Sequence, residues 1–197
     1  MFSSKLEQIK EVGHIQSEGS RACVATLVVD KAQLPIAYEV KEKGDDFYVE
    51  GRNERLLRAR YAQVDSEGGL PELGKPLGRE GVRQAFLQGV DGYDKLSGAG
   101  AIALARMRGE EAKPESAVKD VLALNNCVQG EGGVWRCKLM AEYRDPLMAA
   151  FGREGALVLE GEFGFVRERK GWRPEDQFRE RFAEALVQSR LASLRGQ

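Results

Sequence analysis

Residues 118–143 alternate apolar and polar side chains on either side of a glycine-rich turn, Gly130-Glu131-Gly132-Gly133, with one cysteine on each arm. Alternation sends successive side chains to opposite faces, so the stretch predicts two antiparallel strands, Val118–Val128 and Val134–Tyr143. With Gly132 at the centre of the connection, Ala123 opposes Ala141, Asn125 opposes Leu139, and Cys127 opposes Cys137. Opposed residues in an antiparallel pair have Cα atoms about 4.5–5.5 Å apart, within the roughly 4.4–6.8 Å that a disulfide spans. The register therefore predicts a Cys127–Cys137 bridge, the alternative being two reduced thiols that share a hairpin by chance. A bridge points to an oxidising compartment. The expected location is then the periplasm or cell envelope, reached with a signal that these residues do not include; for reduced thiols it is the cytoplasm.

The remaining periodicities set the frame around this hairpin. Arg21–Val29 reads as a strand, and Ile36, Tyr38 and Val40 alternate before a Lys43-Gly44-Asp45 turn into Phe47-Tyr48-Val49, a second hairpin. Leu157–Arg167 reads as a long strand with Leu157, Leu159, Phe163 and Phe165 on one face, in which Gly161 and Gly164 would permit a bulge or strong twist. Helical spacing marks the N-terminus, where Phe2, Leu6, Ile9 and Val12 follow a Ser4-x-x-Glu7 capping-box pattern. It also marks Arg79–Val90, Ala101–Met107 and a C-terminal helix from Pro174 to about Ser193 that buries Phe178, Phe182, Leu186 and Leu191. Asn53–Gln63 fits a short helix or an irregular strand. Asp65–Gly78, rich in glycine and proline, reads as a loop or a boundary.

Helix, strands, helices, strands, helix is an α+β order. The expected architecture is an antiparallel sheet of about five or six strands packed against N- and C-terminal helices, with a helical insertion around 79–108. A chain of 197 residues fits a single α+β domain, 1–197, with residues 65–114 as an insertion or subdomain. In layout, the strand-rich C-terminal half ending at Gly171-Trp172-Arg173 resembles the small α+β domains of bacterial envelope proteins.

Composition narrows the function classes. The 30 basic and 31 acidic residues leave a net charge of −1, and no global field favours nucleic acid. No stretch reaches the roughly 18–20 apolar residues that span a bilayer, so no integral membrane segment is expected. His14 is the only histidine, which argues against the usual Ser–His and Cys–His pairs and His-rich metal sites. It is expected near a helix end, exposed or capping. Gly98-x-Gly100 lacks the preceding strand and third glycine of a phosphate-binding turn, so no cofactor is expected. Cys23 is in phase with Ala25, Leu27 and Val29 and reads as a buried, inert thiol.

Glu160 and Glu162 share a strand face, which fits a carboxylate dyad or, more simply, a solvated face. Two basic clusters stand out. Arg52, Arg55, Arg58 and Arg60 form one. Arg167, Arg169, Lys170 and Arg173 beside Trp172 form the other, and are the candidate contact residues for a protein partner. Interleaved acids also fit a locally paired, solvated surface. The resulting expectation is a non-catalytic binding or assembly protein of the bacterial envelope, working through protein–protein contacts. The alternatives are an inhibitor or immunity-type protein that blocks one enzyme, and a carboxylate-dependent hydrolase. If the bridge forms, alkylation of the denatured, unreduced protein labels one of the three cysteines, and prior reduction raises the count to three. Three labelled thiols without reductant would remove the disulfide and the envelope argument together.

Overall fold

The alternating segments fold into two antiparallel sheets of four and five strands, and the class is α+β. The structure, a computed structural model, describes residues 4–97, 117–146, 148 and 155–195. Packing divides the chain into two compact units, Met1–Pro71 and Glu72–Gln197.

The first unit is a meander of β1 (Ser4–Ile15), β2 (Ser20–Val29), β3 (Ala32–Lys43) and β4 (Asp46–Arg52), hydrogen-bonded in that order. The hairpin expected at Gly44-Asp45 is present, with Lys43 paired to Asp46. Asn53 then caps α1 (Glu54–Tyr61), its side chain accepting from the backbone N–H groups of Arg55 and Leu56. The ambiguous 53–63 segment is thus a helix.

The expected N-terminal helix is instead strand β1. Its ladder to β2 shifts register between Glu7 and Lys10 and again between Glu11 and Gly13. Each shift inserts one unmatched residue and resets the alternation, so apolar residues two apart in register become three apart in sequence. Leu6 and Ile9 thereby take a helix-like spacing within a strand, and Val12 falls in step with them although it packs against the core on the other side. Leu6 and Ile9 are exposed, whereas a helix with that spacing would turn them to a core. His14, expected at a helix end, lies partly buried in this strand opposite Arg21.

The second unit has a sheet ordered β5 (Val118–Ala123), β7 (Val134–Arg144), β8 (Ala156–Glu168) and β9 (Gly171–Pro174), with the short β6 (Val128–Gln129) also paired to β7. Among the described residues two helices cover one face: α2 (Gly78–Ser97), and α3 (Phe178–Arg195). The insertion helix is present as α2; the Ala101–Met107 segment and Gly98-x-Gly100 lie outside the described residues. Leu157, Leu159, Phe163 and Phe165 are buried as the alternation requires, and so are Phe178, Phe182 and Leu186. Leu191 is not: it is 48% exposed, since α3 has by then run past the cluster of buried residues it covers. Pro174 ends β9 rather than starting α3, because Glu175 N–H continues the ladder by donating to the Gly164 carbonyl at 2.9 Å.

β7 and β8 pair without a break along all 11 residues of β7, so Gly161 and Gly164 mark no bulge. Gly164 has a different task. A Cβ there would collide with the Glu175 carboxylate, which lies over the glycine within ion-pair distance of Arg136 and Arg181, at 3.5 and 3.0 Å. These three groups approach as charges without hydrogen-bond alignment. α3 is also fastened by Arg190, whose guanidinium donates from Nε and Nη2 to the two oxygens of the fully buried Asp145 at 2.6 and 3.0 Å.

Near the turn the hairpin register is as expected, with Val128 opposite Arg136, and Cys127 and Cys137 are disulfide-bonded. Further along, it differs. Ala123 opposes Leu139 rather than Ala141, and Asn125 opposes nothing in β7. Two extra residues on this arm loop outward between Ala123 and Val128. Their backbone is satisfied elsewhere: the Asn125 carbonyl accepts from Gly74 N–H at 3.0 Å, and Cys127 N–H donates to the Lys75 carbonyl at 2.9 Å.

α2 meets α3 through Gly89, where a Cβ would strike the ring of Phe178. Alanine normally favours a helix over glycine by about 1 kcal/mol. Here overpacking outweighs that gain, and Gly89→Ala is expected to destabilise the protein by about 1–3 kcal/mol, seen as a lower urea midpoint with an unchanged slope. A stabilised variant would contradict this packing.

Candidate functional site

The two faces of the first unit's sheet differ in what covers them. Ala22 and Ala37 point to the same side as Ile15 and pack with Leu57 and Tyr61 of α1 in a small core. A polar network closes this side. The Tyr61 hydroxyl lies 2.9 Å from Glu39 Oε1 and 3.0 Å from Ser20 Oγ. A carboxylate only accepts, so Tyr61 donates to Glu39 and Ser20 donates to Tyr61. Arg52 and Lys41 each approach Glu39 Oε2 to 3.2 Å. Burial raises the Glu39 pKa, but the Tyr61 and Lys41 hydrogen bonds and the nearby positive charges outweigh it, and the net position is below the ordinary 4.5. Burial lifts Tyr61 above 10.0; the Ser20 hydrogen bond opposes it, and the Glu39 charge and hydrogen bond add to it. A phenol held neutral beside a carboxylate held ionised is a structural anchor for α1, and neither group is poised for proton transfer near neutral pH.

The opposite face carries the other set of alternating residues. Cross-strand pairs place Leu6, Leu27 and Leu34 in one row and Val40 with Val49 in another, with Ile36 and Tyr38 between them on β3. Of these, Leu34 is 51% and Val49 59% exposed, and Phe47 at the β4 end reaches 71%. None of the described residues of the first unit lies over them, because α1 sits on the other side. The free Cys23 belongs to this face opposite Tyr38, and is partly exposed rather than buried as expected. Charged side chains gather at one end only, where Arg21 pairs with Glu11 at 3.0 Å and Glu42 stands nearby on β3. Sequence reasoning found the strands but missed this surface. Alternation in 32–42 and 46–52 identifies the apolar side without telling whether anything covers it.

In the second unit the structure brings together part of the expected basic site. Arg167 opposes Trp172 across the β8–β9 hairpin, its guanidinium carbon 5.8 Å from the indole centre. Trp172 also meets Trp135 edge to face at 6.5 Å, and both rest against the hydrophobic core. Arg169 and Lys170 are exposed at the hairpin tip. Arg173 is set apart by its partners: it binds Glu168 at 3.0 Å and Asp176 at 3.2 Å. The other arginine cluster is locally paired too, through Arg58 with Glu54 and Arg60 with Glu18. Glu160 pairs with Lys138 at 3.2 Å across the strands. Among the described residues no group of three or more His, Cys, Asp or Glu converges on a metal position.

Because the folded-state pKa of Glu39 lies below its unfolded value, its contribution to stability is present above about pH 4.5 and is lost as pH falls through the folded value. Glu39→Gln should therefore be less stable at neutral pH, with a shallower loss of stability on acidification in urea titrations. Tyr61→Phe should cost about 1.5–3 kcal/mol, the range for a hydrogen bond to a charged group. An unchanged acid limb in Glu39→Gln would contradict this assignment.

Compared with known proteins, the chain matches no family model, no curated protein and no solved structure.

Proposed function

We propose that this chain is a non-catalytic binding or assembly protein that works through protein–protein contacts, with the open apolar face of the β1–β4 sheet as its contact surface. The observation that carries this reading is the exposure of Leu34, Val49 and Phe47 on one face of a sheet whose reverse side is packed. Apolar patches of more than a few hundred square ångströms are unusual on a solitary soluble protein and mark interaction sites. The Cys127–Cys137 bridge supports placing the protein in an oxidising compartment such as the bacterial envelope.

A second reading, an inhibitor of one partner enzyme, draws on the β8–β9 hairpin. Its tip presents Arg169 and Lys170 to solvent beside the Arg167–Trp172 stack, which suits an acidic partner. The two surfaces separate in one experiment. Native mass spectrometry of the protein isolated under mild conditions from its source is expected to find it in a protein complex. Leu34→Asp/Phe47→Asp should lose that complex, while Arg169→Glu/Lys170→Glu should keep it. The reverse pattern, with binding that weakens steeply in salt, would favour the inhibitor reading.

A further inference from the structure

We infer that the occupant of the open face is a second copy of this chain, packed sheet on sheet about a two-fold axis that runs along the strands between β2 and β3. The inference rests on the reading that this face is a contact surface.

Size is the first argument. Strands lie about 4.8 Å apart and rise about 3.3 Å per residue. The apolar rows on four strands therefore cover a patch of roughly 25 by 15–20 Å. Two such patches bury on the order of 1,000 Å², where specific interfaces begin. Sheets of the same twist stack with their strands about 30° apart, and two copies of one sheet meet this condition automatically.

Self-complementarity is the second argument, because a two-fold interface must fit its own surface. On the open face, the cross-strand pairs match a small residue of β2 with a large one of β3: Cys23 with Tyr38 and Ala25 with Ile36. The proposed axis lays β2 of one copy over β3 of the other. Small then meets large twice, and Leu27 meets Leu34 twice. The same rotation carries Arg21 at the end of β2 over the end of the partner copy's β3, where Glu42 lies one same-face step beyond Val40, the residue opposite Arg21. Opposite charges thus face each other at the rim, while the middle of the face along β2 and β3 holds none; Glu11, beside Cys23 on the edge strand β1, is already paired with Arg21. A charged peptide would find nothing to pair with in that middle. A second apolar sheet needs no such partner.

The test is the mass of the full-length protein by sedimentation equilibrium across concentration. Wild type should sediment as two copies. Leu34→Asp, at a half-exposed position that a single copy tolerates, should raise the dimer dissociation constant about tenfold or more while leaving the circular dichroism unchanged. Arg21→Glu should weaken the dimer as well, and Arg21→Glu/Glu42→Arg should restore it. In wild type, alkylation of Cys23 should slow as concentration rises through the dissociation constant; in Leu34→Asp it should not.

A wild type that stays monomeric up to its solubility limit overturns the inference, as does a dimer indifferent to Leu34→Asp or a charge swap that fails to rescue. If the monomer nevertheless loses a different protein partner on Leu34→Asp/Phe47→Asp, the contact surface stands and only its occupant was misassigned. If neither association responds to these variants, the reading of the face falls too.

Discussion

The second unit is organised around Phe86. Its ring is fully buried and meets three others at their edges: Phe163 at 5.0 Å, Phe178 at 5.5 Å and Phe182 at 6.1 Å. One side chain on α2 thereby contacts both the sheet and α3, so neither helix can shift without disturbing the other. Edge-to-face contacts contribute beyond the area they bury and restrict how the rings turn. The bare glycine at position 89, one turn further along α2, lets Phe178 come close enough to complete the cluster. Tyr143 extends the same aromatic layer to β7 through Phe182, at 5.2 Å.

Against that background the first unit is unusual in leaving one side unfinished. Both sheets obey the same alternation, and each has an apolar side. In the second unit two helices lie on that side and exclude water. In the first, the short helix α1 lies on the other side, held by a phenol, a hydroxyl and an ionised carboxylate. The polar network decides where α1 goes, and by doing so it decides which face stays open.

The sequence was readable where physics is local. Period-two patterns located β2, β3, β4, β7 and β8, and the glycine turn fixed the register close enough to pair Cys127 with Cys137. Three features escaped it for physical reasons. The bulges of β1 converted a strand period into an apparent helix period. The two extra residues after Ala123 depend on hydrogen bonds to Gly74 and Lys75, about fifty positions away in the chain, and no local pattern encodes them. Whether a face is covered depends on where another element packs, so the apolar surface of β1–β4 was invisible while its strands were plain. The basic hairpin was legible as composition, yet the pairing of Arg173 with Glu168 and Asp176 separates it from Arg169 and Lys170 in a way that spacing could not show.

The outward loop beside the disulfide changes what that bond constrains. Counted along the chain, the two cysteines are only 10 residues apart, and closing so small a ring removes little freedom from an unfolded chain. Yet the looped arm is clamped to the stretch just before α2: Lys75 N–H donates to Asn126 Oδ1 at 3.2 Å, alongside the two backbone bonds on either side. While that clamp holds, the covalent link keeps the strand pair and the entry to α2 in register as one body. α2 and β5, both packed into the core, lie between Lys75 and Cys127, so the chain leaves and rejoins one fastened point. A cross-link that is local in sequence thus acts as a long-range one.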